Sequence, residues 1–263
     1  MSDLTKNYGD VQAVRDASFA VEPGEVFGFL GPNGAGKSTT INMLCTLAKP
    51  TSGTASVGGY DVVTQRDDVR RHIGLVFQEP TLDVYLTGEQ NLRMHAELYG
   101  VDADLIPARM RQMLDMVDLW DRRKQAVRTY SGGMRRRLEI ARGLMHSPRV
   151  LFLDEPTIGL DPQTRSSIWS YIRALREAEG TTIFLTTHYM EEAEVCDRIA
   201  IMDRGEIVVL DTPTALKKSV GRRASLDDVF MHYTGTEIRD GFSTSGVNVN
   251  REIMRAMTKG GRA

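Results

Sequence analysis

Short apolar runs alternate with longer amphipathic segments along most of this chain. The runs at 25–30, 150–153 and 182–186 have the length and aliphatic character of buried strands. Between and after them, the segments 38–47 and 162–179 carry apolar residues at helical spacing. Parallel strands need crossover connections of this kind, so the pattern predicts an α/β fold with a parallel or mixed sheet.

Two stretches depart from this alternation. Between 49 and 63, proline, threonine, serine and glycine surround short alternating pieces, which predicts a small antiparallel β lobe. Between about 79 and 146 helical patterns dominate, and one of them opens with Thr87 and Gln90, spaced as a capping box. We therefore expect an α-helical lobe inserted into the sheet core, all within one domain of residues 1–235.

The end of the chain has a different composition. From 241 onward glycine, serine, threonine and asparagine dominate, and basic residues outnumber the single acid Glu252. Such a segment buries little apolar surface, so residues 236–263 are predicted to form a flexible or partner-docked C-terminal tail.

Composition excludes some classes of protein and favours others. The 33 basic and 35 acidic residues give a net charge of −2, so no overall positive field attracts nucleic acid, and no nucleic-acid partner is expected. The apolar runs are far shorter than the roughly 18 residues that a membrane span requires. No secretory signal is evident at the N-terminus, which favours the cytoplasm. Cys45 and Cys196 are predicted to be buried apolar residues.

A phosphate-binding loop is predicted between the first strand and its helix. The sequence GPNGAGKST matches G-x-x-x-x-G-K-[ST] in the strand-to-helix setting that the motif requires. Backbone N–H groups of such a loop surround an anion, Lys37 reaches the β- and γ-phosphates, and the Ser38 hydroxyl is a ligand for Mg²⁺. The predicted nucleotide-binding residues are Gly31, Pro32, Asn33, Gly34, Ala35, Gly36, Lys37, Ser38 and Thr39.

Two carboxylates follow the buried strand VLFL. Ligands of α/β sheets bind at the carboxyl ends of strands, which is where Asp154 and Glu155 lie. We expect Asp154 to orient the magnesium shell and Glu155 to accept a proton from an attacking water.

The segment YSGGMRRR, at 130–137, lies between these two motifs. With the motifs in this order, the first 235 or so residues resemble the ATP-binding cassette (ABC) ATPases, which are P-loop NTPases. In that family this segment is the signature sequence, which contacts a γ-phosphate held by a second subunit. The resemblance implies that Ser131, Gly132 and Gly133 act in a homodimer or in a pair with a related ABC subunit. Alone, SGG would indicate only a capped helix start.

Four more residues match positions of the family. Gln78 resembles the glutamine-loop residue that touches magnesium and the attacking water, and Asp161 belongs to a loop that crosses the dimer interface. His188 resembles the switch histidine that contacts the γ-phosphate, and Tyr8 resembles the aromatic residue that stacks on adenine. The resemblance thus makes Glu155, His188 and Gln78 catalytic, and Ser38, Gln78 and Asp154 ligands of magnesium.

Three departures refine the resemblance. Tyr130 and Met134 stand where most members have leucine and glutamine. Few residues precede Leu4, where members carry a first strand, so we expect either that the start codon is internal or that this edge strand is shortened. The third departure is YSGGM together with THYMEEAE at 187–194 and SLDDVFMHYTG at 225–235, which resemble the daunorubicin-resistance type of exporter subunit.

This resemblance implies an ATPase that binds ATP and Mg²⁺ at the cytoplasmic face of the membrane, as a peripheral subunit. It implies separate ABC-2-type membrane permease subunits, and export of drugs, lipids or other hydrophobic compounds. The segment 79–99 is predicted to contact these permease subunits, which exposure of Leu82, Tyr85 or Leu86 would support; the alternative is that these residues only fill the core of the helical lobe. The alternatives are a soluble ABC ATPase that acts on ribosomes or nucleic acid, and a P-loop kinase. The arginine run 135–137 is interpreted as a solvated helix face.

Overall fold

The computed structural model describes residues 1–235, so the predicted tail at 236–263 lies outside the described residues. The strands are β1 (Ser2–Tyr8), β2 (Val11–Ala17), β3 (Val26–Leu30), β4 (Ser52–Thr54), β5 (Ser56–Val57), β6 (Tyr60–Asp61), β7 (Ile73–Val76), β8 (Val150–Asp154), β9 (Thr182–Thr187), β10 (Arg198–Asp203) and β11 (Glu206–Asp211). The helices are α1 (Lys37–Leu44), α2 (Arg66–His72), α3 (Gly88–Leu98), α4 (Ile106–Met116), α5 (Gly132–Gly143), α6 (Pro162–Glu179), α7 (Met190–Ala193), α8 (Pro213–Val220) and α9 (Leu226–Thr234).

The chain divides into two units. Of the described residues, the first unit contains 1–69 and 184–235, and the second contains 70–183. Helix α2 and strand β9 each cross a boundary between the units. The predicted helical lobe lies within the second unit, together with β7, β8 and α6.

The first strand is not an edge strand, contrary to the expectation of a shortened edge. Strand β1 has seven residues and pairs antiparallel with β2 on one side and β4 on the other. It is therefore the central strand of this sheet, and its buried Leu4 faces Ala17 of β2. The expectation was wrong because β4, which lies far along the chain, pairs with the side of β1 that β2 leaves open.

The predicted small β lobe at 49–63 is confirmed. Strand β4 joins β1, and β5 and β6 form a hairpin in which Val57 pairs with Tyr60. Gly58 and Gly59, which connect them, both have positive φ, as the tight two-residue turn of a hairpin requires.

The core of the first unit is aliphatic and aromatic. Every residue of β3 is buried, and β3 pairs parallel with β10, which pairs antiparallel with β11. The rings of Phe27 and Phe29 pack with Phe19 and Phe184, at centroid distances of 5.1 to 5.7 Å. This mixed pairing fixes the end of β3, where the phosphate-binding loop begins.

The second unit combines two parallel strands with four helices. Strands β7 and β8 pair with Ile73 opposite Val150, and α5 packs against β7 and against α3 and α4. The predicted capping box is confirmed, because the Thr87 side chain accepts from the Gln90 N–H and the Gln90 side chain accepts from the Thr87 N–H. Helix α6 has the bounds that the sequence predicts.

The structure tests two further predictions, the absence of a membrane-spanning helix in the described residues and the burial of both cysteines. Within residues 1–235, none of the helices is both long enough and apolar enough to cross a bilayer. Cys45 and Cys196 are both buried, as predicted.

Three aromatic rings stack in the second unit and form a pH-sensitive contact. Tyr99 lies between His95 and His146, at centroid distances of 4.5 and 4.0 Å. Burial, with Arg142 and His146 nearby, lowers the pKa of His95 from 6.5 to about 3. Burial also lowers the pKa of His146, and Arg109 and His72 add to this effect. Both imidazoles are thus neutral in the folded chain at pH 7.

We expect the folded chain to lose stability between pH 7 and pH 5. In this range His95 becomes protonated in the unfolded chain but stays neutral in the folded chain. The free energy of unfolding therefore falls by about 2 kcal/mol. Thermal denaturation at both pH values measures this loss. His95→Phe keeps a stacked ring without a titrating group and should lose less stability, whereas His232→Phe, at an exposed position of α9, should behave like wild type. An unchanged pH dependence in His95→Phe would contradict the prediction.

Candidate functional site

The predicted phosphate loop connects β3 to α1 in the first unit. A Cβ atom on Gly31 would lie 2.3 Å from the Met202 carbonyl oxygen, and one on Gly36 would lie 2.5 Å from that of Ala13. Gly36 also has φ of +108°, which favours glycine. The Gly205 N–H donates to the Ala35 carbonyl at 2.9 Å. The loop is thus held against neighbouring backbone, which leaves no room for a side chain at Gly31 or Gly36.

Lys37 lies over this loop. Its side chain is buried, and its Nζ donates to the carbonyls of Gly31 at 2.7 Å and Pro32 at 3.2 Å. Helix α1 begins here without a side-chain cap and without an acidic residue in its first turn, so its positive end is available to an anion. Ser38 is exposed on the same turn. A triphosphate fits this combination of loop amides, an ammonium group and a free helix end.

Two further predicted residues belong to the first unit. Tyr8 ends β1, and its hydroxyl forms a hydrogen bond with the Thr39 side chain. Burial raises the pKa of Tyr8, and this bond partly opposes the shift. His188 follows β9, half-buried, with its ring 4.2 Å from the ring of Tyr189. The interaction with Thr39 therefore places Tyr8 beside the phosphate loop, and its stacking on adenine stays a prediction.

The acidic strand end lies in the second unit. Asp154 ends β8, and both Asp154 and Glu155 are only 9% exposed. Glu155 has φ of +47°, a left-handed conformation that is unusual for a residue with a side chain. Its Oε2 accepts a hydrogen bond of 3.3 Å from the Gln78 amide, so the structure brings two predicted catalytic residues together. Strained residues of this kind are frequent at active sites.

The signature segment opens α5, and the Asp161 loop opens α6. Ser131 caps α5 by accepting from the Met134 N–H at 3.2 Å, and Asp161 caps α6 through Thr164. Hydrogen bonds from Thr164 lower the pKa of Asp161. A Cβ atom on Gly133 would lie 2.6 Å from the Thr164 side chain, so the two turns are adjacent. Gly132 is exposed with open space around its Cα.

The unusual Tyr130 has a structural reason. Its ring is buried, and its hydroxyl donates to the Arg122 carbonyl at 2.8 Å. The same hydroxyl lies 2.6 Å from where a Cβ of Gly88 would be, at the start of α3. Tyr130 thus ties the signature turn to two parts of the helical segment, a bond that leucine could not make.

Arg136 is a residue that the sequence analysis misjudged. Its side chain was predicted to lie on a solvated helix face, but it is buried among backbone carbonyls, with 7% of the residue exposed. The flanking Arg135 and Arg137 are half-buried. A signal was present, because Arg136 shares the i, i+4, i+7 spacing of Ile140 and Gly143, which are both buried.

The segment 79–99 is exposed in part. Leu82 is buried, whereas Tyr85 is 80% exposed and Leu86 is half-buried. Backbone hydrogen bonds from Arg128 and Val127 to the carbonyls at 84 and 86 hold Tyr85 outward. The prediction that these residues are available for contact therefore holds for Tyr85, and Leu82 belongs to the core.

The structure describes the predicted magnesium ligands in both units. Ser38 belongs to the first unit, and Gln78 and Asp154 belong to the second. In residues 1–235 there is no cluster of three or more histidine, cysteine or carboxylate side chains that forms a metal site. Mg²⁺ on a nucleotide needs only one or two protein oxygens, because phosphates and water supply the rest. The hydroxyl, amide and carboxylate oxygens present are the donors that this ion prefers.

Comparison with known proteins gives consistent matches. A family model described as ABC transporter matches residues 14–158, which include the phosphate loop and the strand end at 154–155. The daunorubicin/doxorubicin resistance ATP-binding protein DrrA of Streptomyces peucetius is 47% identical, over 84% of this chain and 67% of that protein. The linearmycin resistance ATP-binding protein LnrL of Bacillus subtilis is 41% identical, over 91% of this chain and 76% of that protein.

Solved structures match the fold as well. The structure of an ATP-binding subunit of an ABC transporter superposes with a TM-score of 0.80 and 30% identity, covering 88% of this chain and 97% of that chain. A dimeric ATP-binding cassette with ADP and phosphate in a post-hydrolysis state has a TM-score of 0.72 and 28% identity, covering 80% and 97%. Both share the mixed sheet, small antiparallel sheet and helices described above.

Proposed function

Since this chain belongs to the ABC transporter family as a subunit that binds and hydrolyses ATP, we propose that it powers export through separate ABC-2-type membrane permease subunits. Drug-like, lipid or other hydrophobic compounds are the proposed cargo, because the named relatives confer resistance to daunorubicin, doxorubicin and linearmycin. The observation that best supports the proposed hydrolytic mechanism is the hydrogen bond between Gln78 and Glu155 at a buried strand end.

Each unit contains residues with proposed roles. In the first, Gly31–Thr39 bind the phosphates with Lys37 as the cation, Tyr8 stacks on adenine, and His188 contacts the γ-phosphate. In the second, Glu155 accepts the proton of the attacking water, which Gln78 helps to orient. Magnesium, when bound, neutralises phosphate charge, and Ser38, Gln78 and Asp154 are the residues that would hold it.

We propose that two cassettes act together. Ser131, Gly132 and Gly133 would contact a nucleotide held by the second subunit, which is a copy of this chain or a related ABC subunit. The exposed Gly132 and the adjacent caps of α5 and α6 support this role, because both helix starts present backbone N–H groups at one surface. The dimeric state of a structural neighbour supports it too.

The proposed location is the cytoplasmic face of the membrane, as a peripheral subunit held by its permease. Tyr85 is the proposed anchor of that contact, because an exposed aromatic side chain with a fixed backbone is typical of interface hot spots.

Capture from native membranes tests this proposal. We expect tagged Glu155→Gln chain, purified with ATP and magnesium, to bring with it a polytopic membrane protein. Adding Tyr85→Glu should lower that recovery by about tenfold, because a charge replaces a central aromatic contact. Leu47→Glu alters an equally apolar exposed residue outside the segment 79–99 and should not change recovery.

Either part of the proposal can fail separately. Recovery of ribosomes or nucleic acid without a membrane protein would favour the soluble ABC ATPase. Undiminished recovery with Tyr85→Glu would place the permease contact elsewhere on this chain.

A further inference from the structure

We infer that Arg136 is a positioning residue for ATP hydrolysis. Its guanidinium holds the backbone that presents Glu155 and Gln78, and it connects both to the helix that Ser131 begins. This inference rests on the proposed role of Glu155 as the base.

The contacts of Arg136 converge on the strand end. Its Nε donates to the Pro156 carbonyl at 2.6 Å, and its Nη2 donates to the carbonyls of Asp154 at 3.1 Å and Glu155 at 3.2 Å. Three successive carbonyl oxygens therefore face one cation. Carbonyl dipoles that converge in a buried place repel one another unless a positive group lies among them.

This arrangement explains how Glu155 is held in an unusual conformation. A left-handed residue with a side chain is less favourable than an extended or helical one and persists only where its surroundings stabilise it. Arg136 bonds the carbonyls on both sides of the Glu155 Cα and that of the following residue. The direction in which the Glu155 carboxylate leaves the strand thus depends on Arg136.

The other edge of the same guanidinium reaches the glutamine loop. Its Nη1 donates to the Phe77 carbonyl at 2.5 Å, directly before Gln78, and to Glu139 at 3.2 Å. Glu139 is buried, and its second oxygen accepts from the Thr81 N–H at 2.7 Å. Arg136 and Glu139, one turn apart on α5, therefore hold residues on both sides of Gln78.

Only arginine has the geometry for this role. Its planar guanidinium presents five N–H donors in fixed directions, whereas lysine has one ammonium that cannot reach carbonyls on two edges. Arg136→Lys keeps the charge and changes the geometry alone. Arg109→Lys is a matched control in the same unit, because Arg109 is also largely buried and bonds Glu179 and the Leu144 carbonyl, away from the site.

Steady-state ATPase assays, with nucleotide affinity measured by a fluorescent ATP analogue, test the inference. We expect Arg136→Lys to lower kcat by about 10- to 100-fold, since the base and the water-orienting amide are displaced. ATP affinity should change less than about threefold, because the phosphate loop is intact. Arg109→Lys should keep kcat within about twofold of wild type.

A double-variant cycle separates positioning from general loss of structure. In the Glu155→Gln background, adding Arg136→Lys should lower single-turnover hydrolysis by a smaller factor than in the wild-type background, because the base is already absent and only the Gln78 amide remains to be displaced. Effects that multiply would overturn the inference. So would a kcat of Arg136→Lys within about twofold of wild type, or equal losses of kcat and affinity.

Two results distinguish this inference from the proposed function. A fully active Glu155→Gln would refute the base itself, whereas an inactive Glu155→Gln beside a fully active Arg136→Lys would overturn the positioning role alone. Should Arg136→Lys not fold, Glu139→Gln tests the same link through one bond fewer. We then expect a kcat loss of roughly 3- to 10-fold at unchanged affinity, and an unchanged kcat would overturn the inference.

Discussion

Glu155→Gln is expected to stop ATP turnover while it leaves nucleotide binding intact. The substitution keeps the size of the side chain and its ability to bond Gln78, but removes the proton acceptor. The expected loss of kcat is about 10²- to 10⁴-fold, the contribution of a well-placed general base. ATPase assays measure it, and size-exclusion chromatography with ATP and magnesium should show a trapped dimer.

A matched control distinguishes loss of the base from loss of a buried carboxylate. Glu25 is also buried and forms an ion pair of 2.6 Å with Arg198 at the far end of β3. Glu25→Gln should weaken that pair but keep the turnover of folded protein within about twofold. Full ATPase activity in Glu155→Gln would refute the general-base role.

Lys37→Ala is expected to weaken ATP binding itself. In its proposed role, the ammonium group of Lys37 would make charge-assisted hydrogen bonds with phosphate oxygens, each worth more than a neutral one. Its removal should raise the dissociation constant by about 10- to 100-fold. Titration with a fluorescent ATP analogue measures the change, and kcat falls with it because phosphate positioning is also lost.

The corresponding control is Lys218→Ala, which removes an exposed cation from α8. This variant should bind ATP as wild type does, because solvent screens a surface charge away from the loop. Unaltered affinity in Lys37→Ala would mean that the loop amides alone account for phosphate binding.

Much of the fold could be predicted from the sequence because its signals are local. The alternating apolar runs, the Thr87 and Gln90 capping box, and the bounds of α6 each follow from periodicity or capping within a few residues. The central position of β1, between β2 and β4, could not be predicted in this way. Its pairing with β4 joins residues nearly fifty positions apart, and only the folded chain shows that both sides of β1 are occupied.

In the candidate site, too, local features could be predicted and long-range contacts could not. The phosphate loop and the Asp154–Glu155 pair were predicted because a motif and a strand end carry them. The burial of Arg136 was not predicted, since three consecutive arginines look alike in sequence. Which of them is buried depends on carbonyls that come from two other segments of the chain. The only local sign of such a long-range contact is the helical spacing of Arg136 with other buried residues of α5.

The phosphate loop is braced by neighbouring backbone. Gly36 and Gly31 abut the carbonyls of Ala13 and Met202, and the Gly205 amide donates to the loop's own Ala35 carbonyl. On its proposed role, a loop that is already shaped loses little ordering entropy when it binds the α- and β-phosphates, which ATP and ADP share. Backbone amides of the loop would then hold both nucleotides alike, and the side chains proposed to contact the γ-phosphate, Lys37 and His188, would distinguish ATP from ADP.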